Sequence, residues 1–578
     1  MSSSTADSGS TTQAGSADRL CNIAQRLRES AVKAPDTRAV IQPLGRDRDG
    51  NYRYAEWTFA ELDRESDRLA AGLREFGVEP GDRMVLFVPF SREFIALTFA
   101  LYKVGATIVL IDPGMGRTNI FRCLEEVDPH GFVAVPIVHA VRLAKRKLFP
   151  NARKNVTVGR RWFWGGTTYE KLRSRETDTV EIAPTRACDP AAVIFTSGST
   201  GAPKGVLYEH GMFDAQVDLI RDFYGIEPGE VDLPGFPLFG LFNAAMGVTT
   251  VIPDMDPTKP ARVDPERMIA HIRDHQVTQA FGSPAFWNRV GRYCTANEVT
   301  LPTIRRGLSA GGPVPNHVLE RMSRTFVGEG AALHTPYGAT ESLPVASISS
   351  AEVLQETAEQ TRQGAGTCVG HCFPGVEVKL IEINDGPIAA MSDARDCAPG
   401  EIGEIVVRSP SVTREYYRRP DATALAKIPD PNDDGRPVFW HRIGDVGYLD
   451  DEGRLWFCGR KAHIVVCGGE RMFSVRCEAI FNCHPRVYRS ALVGLGEAPD
   501  QRPVIVVEPE EDQFPESPAD KEQLRGELLE LAAASPLTQR IRDVLFHRSL
   551  PVDTRHNVKI NRELLAEWAA GQEVGSRK

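Results

Sequence analysis

The sequence predicts an α/β protein that is built from more than one structural unit. Strand-like and helix-like segments alternate along its first part, a pattern that is typical of parallel sheets with helices on their faces. The chain has 578 residues, too many for a single hydrophobic core. Its composition, 42% apolar and 25% charged, is that of an ordinary globular protein. A layered fold with a sizeable core is therefore expected.

The first elements show the alternation most clearly. Residues 57–76 are predicted to form a helix, because Thr58 and Glu61 match a capping box in front of a regular apolar face. A strand, a helix and a second strand are predicted next, at Met84–Val88, Phe94–Val104 and Ala106–Ile111. Strand, helix and strand in succession indicate a parallel sheet in this part of the chain.

Bulk properties exclude several classes of protein. The net charge of −9 argues against nucleic acid as the main partner. The eleven cysteines are scattered without zinc-site spacing, so we expect free thiols in a reducing cytoplasm. No apolar run reaches the roughly 18–20 residues of a membrane span. Residues 1–17 are rich in small polar residues and lack an apolar core, so we expect a disordered tail and not a signal peptide.

The most informative stretch is AAVIFTSGSTGAPKGV at residues 191–206. An apolar run, Ala191–Phe195, predicts a buried strand. In the loop that follows, glycines let backbone N–H groups approach an anion, hydroxyls donate hydrogen bonds and a lysine adds positive charge. Pro203 stands where a Walker A loop needs a glycine, so the cradle is of another kind. The residues predicted to bind phosphate are Thr196, Ser197, Gly198, Ser199, Thr200, Gly201 and Lys204.

Three later motifs predict the rest of a nucleotide site. A strand predicted within RRGLSAGG ends at Gly311 and Gly312, against which a flat base can lie. In YGATE, which starts at residue 337, a tyrosine can stack on adenine and Glu341 offers a hard oxygen for Mg²⁺. Asp445, in a predicted glycine-flanked turn, can accept hydrogen bonds from both ribose hydroxyls. The residues predicted to contact the nucleotide are Gly311, Gly312, Tyr337, Gly338, Ala339, Thr340 and Asp445.

Two aromatic stretches have the composition of an apolar pocket wall. One is GFPLFGLFNAAMG at residues 235–247, and the other is FGSPAFW at residues 281–287. Plain core packing explains the same pattern and stays open as an alternative. The residues predicted to form the pocket are Phe239, Gly240, Phe242, Phe281, Gly282 and Phe286.

The segment 142–164 carries eight lysines and arginines and ends in Trp162, Phe163 and Trp164. Cations beside interfacial aromatic residues are typical of a surface that docks on a membrane or a partner protein. A solvated helix face and loop is the more usual explanation of such a pattern, so three interpretations remain open.

The order of these motifs resembles that of the acyl-adenylate-forming superfamily, which includes acyl-CoA synthetases, luciferases and peptide-synthetase adenylation domains. The resemblance implies an α/β fold with a large N-terminal adenylation domain of layered sheets and helices, at residues 18–458. A small, mobile C-terminal α+β lid would follow at residues 459–578. It also implies ATP and Mg²⁺ as cofactors, with Mg²⁺ on Glu341.

The resemblance further implies individual roles near the C-terminus. Lys559, within PVDTRHNVKINR, would reach the acyl–phosphate junction as a catalytic residue together with Glu341 and Thr340, and Arg460 would contact ATP. Ala462 stands where the superfamily usually has an Asp or Lys hinge, which leaves the hinge position open.

Several stretches, among them IDPGMGRTNI, VIPDMDPTKPA and TPYGATESLPV, resemble the β-lactone synthetases of bacterial long-chain olefin biosynthesis. This likeness implies adenylation of a 2-alkyl-3-hydroxy fatty acid. The 3-hydroxyl would then attack to give a β-lactone, AMP and pyrophosphate. Gly240 stands where many acyl-CoA synthetases have a histidine. The alternatives are an acyl-CoA synthetase with CoA as nucleophile, and a non-catalytic docking protein. Partners would be other olefin-biosynthesis enzymes or a membrane surface contacted through residues 142–164.

Overall fold

The structure is a computed structural model, and it describes residues 19–175, 177, 179–196, 202–432, 436–552 and 559–576. The predicted tail at residues 1–17 and part of the predicted phosphate loop, Ser197, Gly198, Ser199, Thr200 and Gly201, lie outside the described residues. Of Thr196 only the backbone is described. Within the described ranges no helix is long and apolar enough to cross a bilayer.

The first sheet has seven strands, all pairs of which are parallel except the last. In spatial order they are β7 (Thr167–Thr168), β6 (Val156–Thr157), β5 (Gly131–Ala134), β3 (Arg83–Phe87), β4 (Thr107–Ile111), β8 (Pro190–Thr196) and β9 (Lys204–Glu209). Its helices are α2 (Phe59–Glu75), α3 (Arg92–Val104), α4 (Arg117–Val127), α5 (Pro136–Ala144) and α6 (Tyr169–Arg173). The predicted capping box of Thr58 and Glu61 starts α2, and the predicted parallel alternation is confirmed.

The second sheet also has seven strands, which are parallel except for the β1–β2 pair. In spatial order they are β14 (Ala332–His334), β13 (Arg306–Ser309), β12 (Gln279–Gly282), β10 (Val231–Pro234), β11 (Thr249–Val251), β1 (Arg38–Arg46) and β2 (Tyr52–Thr58). The helices of this part are α1 (Ala24–Lys33), α7 (His210–Tyr224), α8 (Pro237–Met246), α9 (Pro265–His275), α10 (Pro284–Ala296) and α11 (Asn316–Thr325). The strand predicted before Gly311 is thus β13.

The third sheet has eight strands and is antiparallel throughout. They are β15 (Tyr337–Ala339), β16 (Ser342–Ser347), β17 (Thr367–Cys372), β22 (Leu455–Arg460), β21 (Arg436–Leu449), β19 (Gly403–Arg408) and β18 (Glu377–Ile381), with β20 (Lys427–Asn432) paired to β21. Three short helices accompany the sheet, α12 (Ser350–Glu352), α13 (Ala358–Arg362) and α14 (Pro420–Ala426).

The turn predicted at Asp445 is wrong, because Asp445 lies inside β21. The glycines that suggested a turn have another use here. A Cβ atom at Gly447 would lie 2.1 Å from the backbone oxygen of Trp456 on β22, so glycine lets two strands approach closely instead of reversing the chain. Asp445 is paired in register with Arg460 of β22.

After β22 the chain forms smaller elements. They are β23 (Val465–Cys467), β24 (Glu470–Met472), α15 (Ser474–Phe481), β25 (Val487–Leu495), β26 (Arg502–Pro509), α16 (Pro518–Ala534), β27 (Asp543–Phe546) and α17 (Arg562–Ser576). Their apolar residues form clusters of their own, one of which includes Phe481, Ile505 and Leu528. The two long strands β25 and β26 pair antiparallel, and β27 pairs parallel with β26.

Candidate active site

A cavity of about 930 Å³ lies where the three large sheets meet. Phe195 at the end of β8, and Phe281 and Leu308 near the ends of β12 and β13, line it together with residues of β15 and β22. The carboxyl ends of parallel strands are the usual place for ligands in α/β folds. Most of the predicted site residues that the structure describes border this cavity.

Three interacting side chains lie at the polar end of the cavity. Tyr337 and Arg460 line it, whereas Asp445, which contacts both, does not. The Tyr337 hydroxyl donates to Oδ2 of Asp445 at 2.6 Å, and Nε of Arg460 lies 3.1 Å from Oδ1 of the same carboxylate. Burial raises the pKa of Asp445, and the charge of Arg460 opposes this shift. The Asp445 carboxylate in turn raises the pKa of Arg460. The group holds an acceptor carboxylate in a fixed orientation beside the cavity.

Glu341 is held by two neighbours that the sequence did not indicate. Its Oε1 accepts a hydrogen bond from the Tyr416 hydroxyl at 2.7 Å. Its backbone oxygen accepts from N and Oγ1 of Thr413 at 2.9 and 3.0 Å. Thr413 also accepts from Nζ of Lys427 at 3.2 Å, and burial lowers the pKa of this lysine to about 7. The carboxylate therefore lines the cavity on a rigid support.

Two predicted phosphate contacts lie at the same end. Lys204 begins β9 directly opposite Thr196 of β8, and its Nζ lies 4.8 Å from the ring centroid of Tyr416. The backbone oxygen of Thr340 accepts a hydrogen bond from the hydroxyl of Tyr208. Lys204, Thr340 and Tyr416 all line the cavity, so they bring positive charge and hydroxyl groups to one place.

The predicted glycines take different positions. Gly311 lines the cavity with a φ of +98°, a conformation that favours glycine. Gly338 and Ala339 of β15 line it as well, whereas Gly312 does not. A Cβ atom at Gly338 would lie 2.8 Å from the backbone oxygen of Ser342, so this strand position also needs glycine.

Lys559 reaches the cavity from the C-terminal part of the chain. It is close enough to Asp445 for its charge to lower the pKa of that carboxyl group. The following segment is anchored by an ion pair of 2.6 Å between Arg562 and Glu478. Lys461 and Ala462, which follow β22, also line the cavity. The residues from Lys461 onward thus contribute the charge of Lys559 near Asp445, and they form part of the cavity wall.

The other end of the cavity is apolar. Phe239 of α8 stacks on Phe281 at a centroid distance of 3.9 Å, and Phe242 of α8 lies 6.3 Å from Phe213 of α7. All four line the cavity. Sequence reasoning missed the contributions of α7 and α3 to this wall. They are Phe213, Gln216, Val217 and Ile220 of α7 and Phe99 and Tyr102 of α3. The apolar stripe on α7 was a usable signal, although it equally predicts ordinary core packing.

Three predicted pocket residues lie behind the wall instead of on it. Gly240, Gly282 and Phe286 do not line the cavity. A Cβ atom at Gly240 would lie 2.7 Å from Cζ of Phe90, and one at Gly282 would lie 2.2 Å from Cδ1 of Phe286. These glycines let aromatic rings pack closely, and Phe286 belongs to the core of the second sheet.

A preformed metal cage is absent from the described part of the chain, where no three His, Cys, Asp or Glu residues group together. Glu341 lines the polar end of the cavity with its carboxylate. This arrangement fits Mg²⁺, which is commonly held by one or two carboxylates together with phosphate oxygens of the substrate.

The chain belongs to the family of AMP-binding enzymes, and the sequence pattern of this family matches residues 27–417. It is therefore an enzyme of the adenylate-forming class. It is similar to the olefin beta-lactone synthetase of Stenotrophomonas maltophilia strain K279a, with 46% identity over 96% of this chain and 99% of the relative. The protein of the same name from Xanthomonas campestris pv. campestris is 45% identical, over 96% of this chain and 98% of the relative. The resemblance inferred from the motifs is thus confirmed.

Among solved structures, the amide bond synthetase McbA from Marinactinospora thermotolerans superposes with a TM-score of 0.74. It is 23% identical in sequence, and the match covers 94% of this chain and 99% of that chain. At this identity the likeness shows the fold alone, and it confirms the predicted layered α/β architecture.

Proposed function

We propose that the enzyme activates a 2-alkyl-3-hydroxy fatty acid with ATP and converts it to a β-lactone, AMP and pyrophosphate. The observation that carries this proposal is the cavity that joins a polar end, lined by Glu341 and Lys559, to an apolar end formed by α7 and α8. The similarity to two olefin beta-lactone synthetases along nearly the whole chain supports the choice of reaction.

In the first step a carboxylate oxygen of the fatty acid attacks the α-phosphorus of ATP, and the bond to pyrophosphate breaks. Asp445 would accept the ribose hydroxyls, since Tyr337 and Arg460 fix its orientation. Lys204 and the loop before it would neutralise the phosphates, and Glu341 would hold Mg²⁺. A bound Mg²⁺ supplies charge neutralisation on the phosphate oxygens.

Lys559 would act at the junction of carboxylate and α-phosphate, where negative charge develops. We propose that the residues after about position 459 form a lid that carries this lysine to and from the cavity. Lys461 and Ala462 line the cavity next to the end of β22, and this position supports a hinge at the edge of the cavity.

In the second step the 3-hydroxyl oxygen attacks the adenylated carbonyl carbon and loses its proton, and the bond to AMP breaks. A four-membered ring is strained, but the acyl-adenylate is a reactive mixed anhydride. The hydroxyl and the carbonyl belong to one molecule, so the attack is intramolecular. When the two groups are held in the right orientation, the effective molarity of the hydroxyl reaches roughly 10⁵–10⁸ M. The apolar wall, with the stacked pair Phe239 and Phe281, would limit hydrolysis by water.

Product analysis tests this function directly. The enzyme is incubated with ATP, Mg²⁺ and a 2-alkyl-3-hydroxy fatty acid, with and without CoA, and the products are identified by mass spectrometry. We expect AMP and a β-lactone in both cases, and the same acid without its 3-hydroxyl should stop at the bound adenylate. A thioester that forms only with CoA would overturn the proposal in favour of an acyl-CoA synthetase. Absence of any AMP would favour a non-catalytic role.

A further inference from the structure

One surface, here called the docking patch, is formed by α5, by residues 145–147 that follow it and by the loop at residues 159–164. It exposes large apolar side chains away from the cavity. Ile137 and Val141 on α5 are 69% and 42% exposed, and Trp162 and Phe163 in the loop are 59% and 78% exposed. These are four of the eleven large apolar residues that are exposed in the described part of the chain. None of the four lines the cavity, so the proposed reaction does not account for them.

The loop is fixed against the helix, so the exposed rings have a firm support. Trp164 is buried and stacks on His139 of α5, with ring centroids 5.8 Å apart and planes 20° apart. Its backbone oxygen accepts a hydrogen bond from Nη2 of Arg142 at 3.3 Å, and its ring nitrogen donates to Oγ1 of Thr157 at 3.0 Å. Trp162 and Phe163 each contact Trp164, at centroid distances of 5.6 and 5.8 Å.

The docking patch is also strongly basic. Positions 129–169 contain eight lysines and arginines and no aspartate or glutamate, in a chain whose net charge is −9. Lys145, Arg146, Lys147 and Arg160 are exposed, and none of them pairs with an acidic side chain within the ranges that the structure describes. Unneutralised cations on an otherwise acidic protein point to an anionic partner outside the chain.

We propose that the docking patch binds the headgroup layer of an anionic lipid bilayer. The apolar side chains Trp162, Phe163, Ile137 and Val141 would enter the interface between headgroups and acyl chains, while the cations contact lipid phosphates. An anionic membrane explains both features at once. Protein–protein interfaces are depleted in lysine, whereas Lys145 and Lys147 of the docking patch are exposed.

Sedimentation of the full-length enzyme with lipid vesicles tests the proposal. Vesicles of phosphatidylcholine alone are compared with vesicles that contain about 30% phosphatidylglycerol, at low and high salt. We expect binding to the anionic vesicles only, with weaker binding at high salt. The charge variant Arg146→Glu/Lys147→Glu/Arg160→Glu should bind at least about 100-fold more weakly, since each cation near an anionic surface contributes about fivefold. The variant Trp162→Ser/Phe163→Ser should lose about tenfold or more at low salt.

Matched control variants distinguish an effect of the docking patch from a general effect of net charge or of surface hydrophobicity on vesicle binding. Lys33→Glu/Arg48→Glu/Arg53→Glu changes the net charge equally on another exposed surface, and Val32→Ser/Leu44→Ser removes two other exposed apolar side chains. Both controls should bind like the unmodified enzyme, and all variants should keep their rate of adenylate formation. The proposal is overturned if the unmodified enzyme does not bind anionic vesicles, or if the controls weaken binding as much as the patch variants. Capture of an acidic protein without vesicle binding would also overturn it.

Discussion

The Tyr337 hydroxyl donates a hydrogen bond of 2.6 Å to Oδ2 of Asp445, although the two residues lie 108 positions apart in the sequence. The carboxylate is 4% exposed and also faces Arg460 at 3.1 Å. An acceptor that is oriented from two sides before the substrate arrives loses little entropy on binding. This pair therefore joins β15 and β21, two strands of the third sheet, into one nucleotide-binding element in the proposed function.

Asp445→Asn should raise KM for ATP by about 10–100-fold, because a hydrogen bond to a charged acceptor is worth about 1.5–3 kcal/mol. The rate at saturating ATP should change less. Steady-state kinetics with varied ATP measures both parameters. Tyr337→Phe is the matched control, since it removes the hydroxyl but keeps the ion pair with Arg460, and it should have the smaller effect. An unchanged KM for ATP in Asp445→Asn would contradict the assigned role.

Glu341→Gln should weaken the response of activity to Mg²⁺ more than it weakens nucleotide binding, because the amide keeps its size but lacks the charge that a hard cation prefers. A shift of at least about tenfold in the Mg²⁺ concentration for half-maximal rate is expected. Titration of activity with Mg²⁺ measures it. Tyr416→Phe removes only the hydrogen bond to the carboxylate and should give a smaller shift. An identical Mg²⁺ response in Glu341→Gln would refute the metal role.

Lys559→Ala should slow adenylate formation by about 10²–10³-fold while leaving ATP binding largely intact, because the cation acts where charge develops in the transition state. Exchange of labelled pyrophosphate into ATP, dependent on the fatty acid, measures this step alone. Lys559→Arg keeps the charge and should recover part of the rate. Exchange at nearly the original rate in Lys559→Ala would show that another group acts at the junction.

Val217→Phe should shorten the acyl chains that the enzyme accepts. Val217 lies on α7, is fully buried and lines the apolar end of the cavity, so a larger side chain there fills space meant for substrate. We expect kcat/KM to fall by about 10–100-fold for long chains, since each excluded methylene is worth roughly 0.8 kcal/mol. Short chains should be affected little. A uniform loss at every chain length would indicate damage to the fold instead.

Asp232→Asn should alter the pH dependence of stability. Asp232 lies on β10 and accepts a hydrogen bond of 2.7 Å from Asn243, and burial raises its pKa to about 7. The folded state therefore holds this proton more tightly than the unfolded state. The resulting stability is fully present below the unfolded pKa of about 4 and is lost as the pH rises through about 7.

Thermal unfolding at pH 5 and pH 8 tests this prediction, and the Tm of Asp232→Asn should fall less between the two values than that of the unmodified enzyme. Asp36→Asn, at an exposed position, is the control and should leave the pH profile unchanged. An equal fall in Tm for both variants would contradict the assignment to Asp232.

Much of the candidate site could be predicted from residue types and their order. Tyr337, Glu341 and Asp445 stand in short motifs whose order along the chain predicts a nucleotide site. In the structure Tyr337 and Glu341 line one cavity, and Asp445 is hydrogen-bonded to Tyr337. The fold class followed from the alternation of strands and helices. The spacing of apolar residues that distinguishes a helix from a strand is a local property of the chain, so it can be read from the sequence. The family of enzymes was therefore determined by the sequence itself.

Tertiary structure alone decided which side chains support and enclose those residues. Tyr416 and Thr413 hold Glu341, Lys427 in turn donates to Thr413, and no local pattern links these residues to Glu341. Gly240 and Phe286 have the composition of a pocket wall but lie behind it, whereas Val217 of α7 lines the cavity. A sequence period shows which face of a helix is apolar, but whether that face meets another ring or an open cavity depends on how distant elements pack.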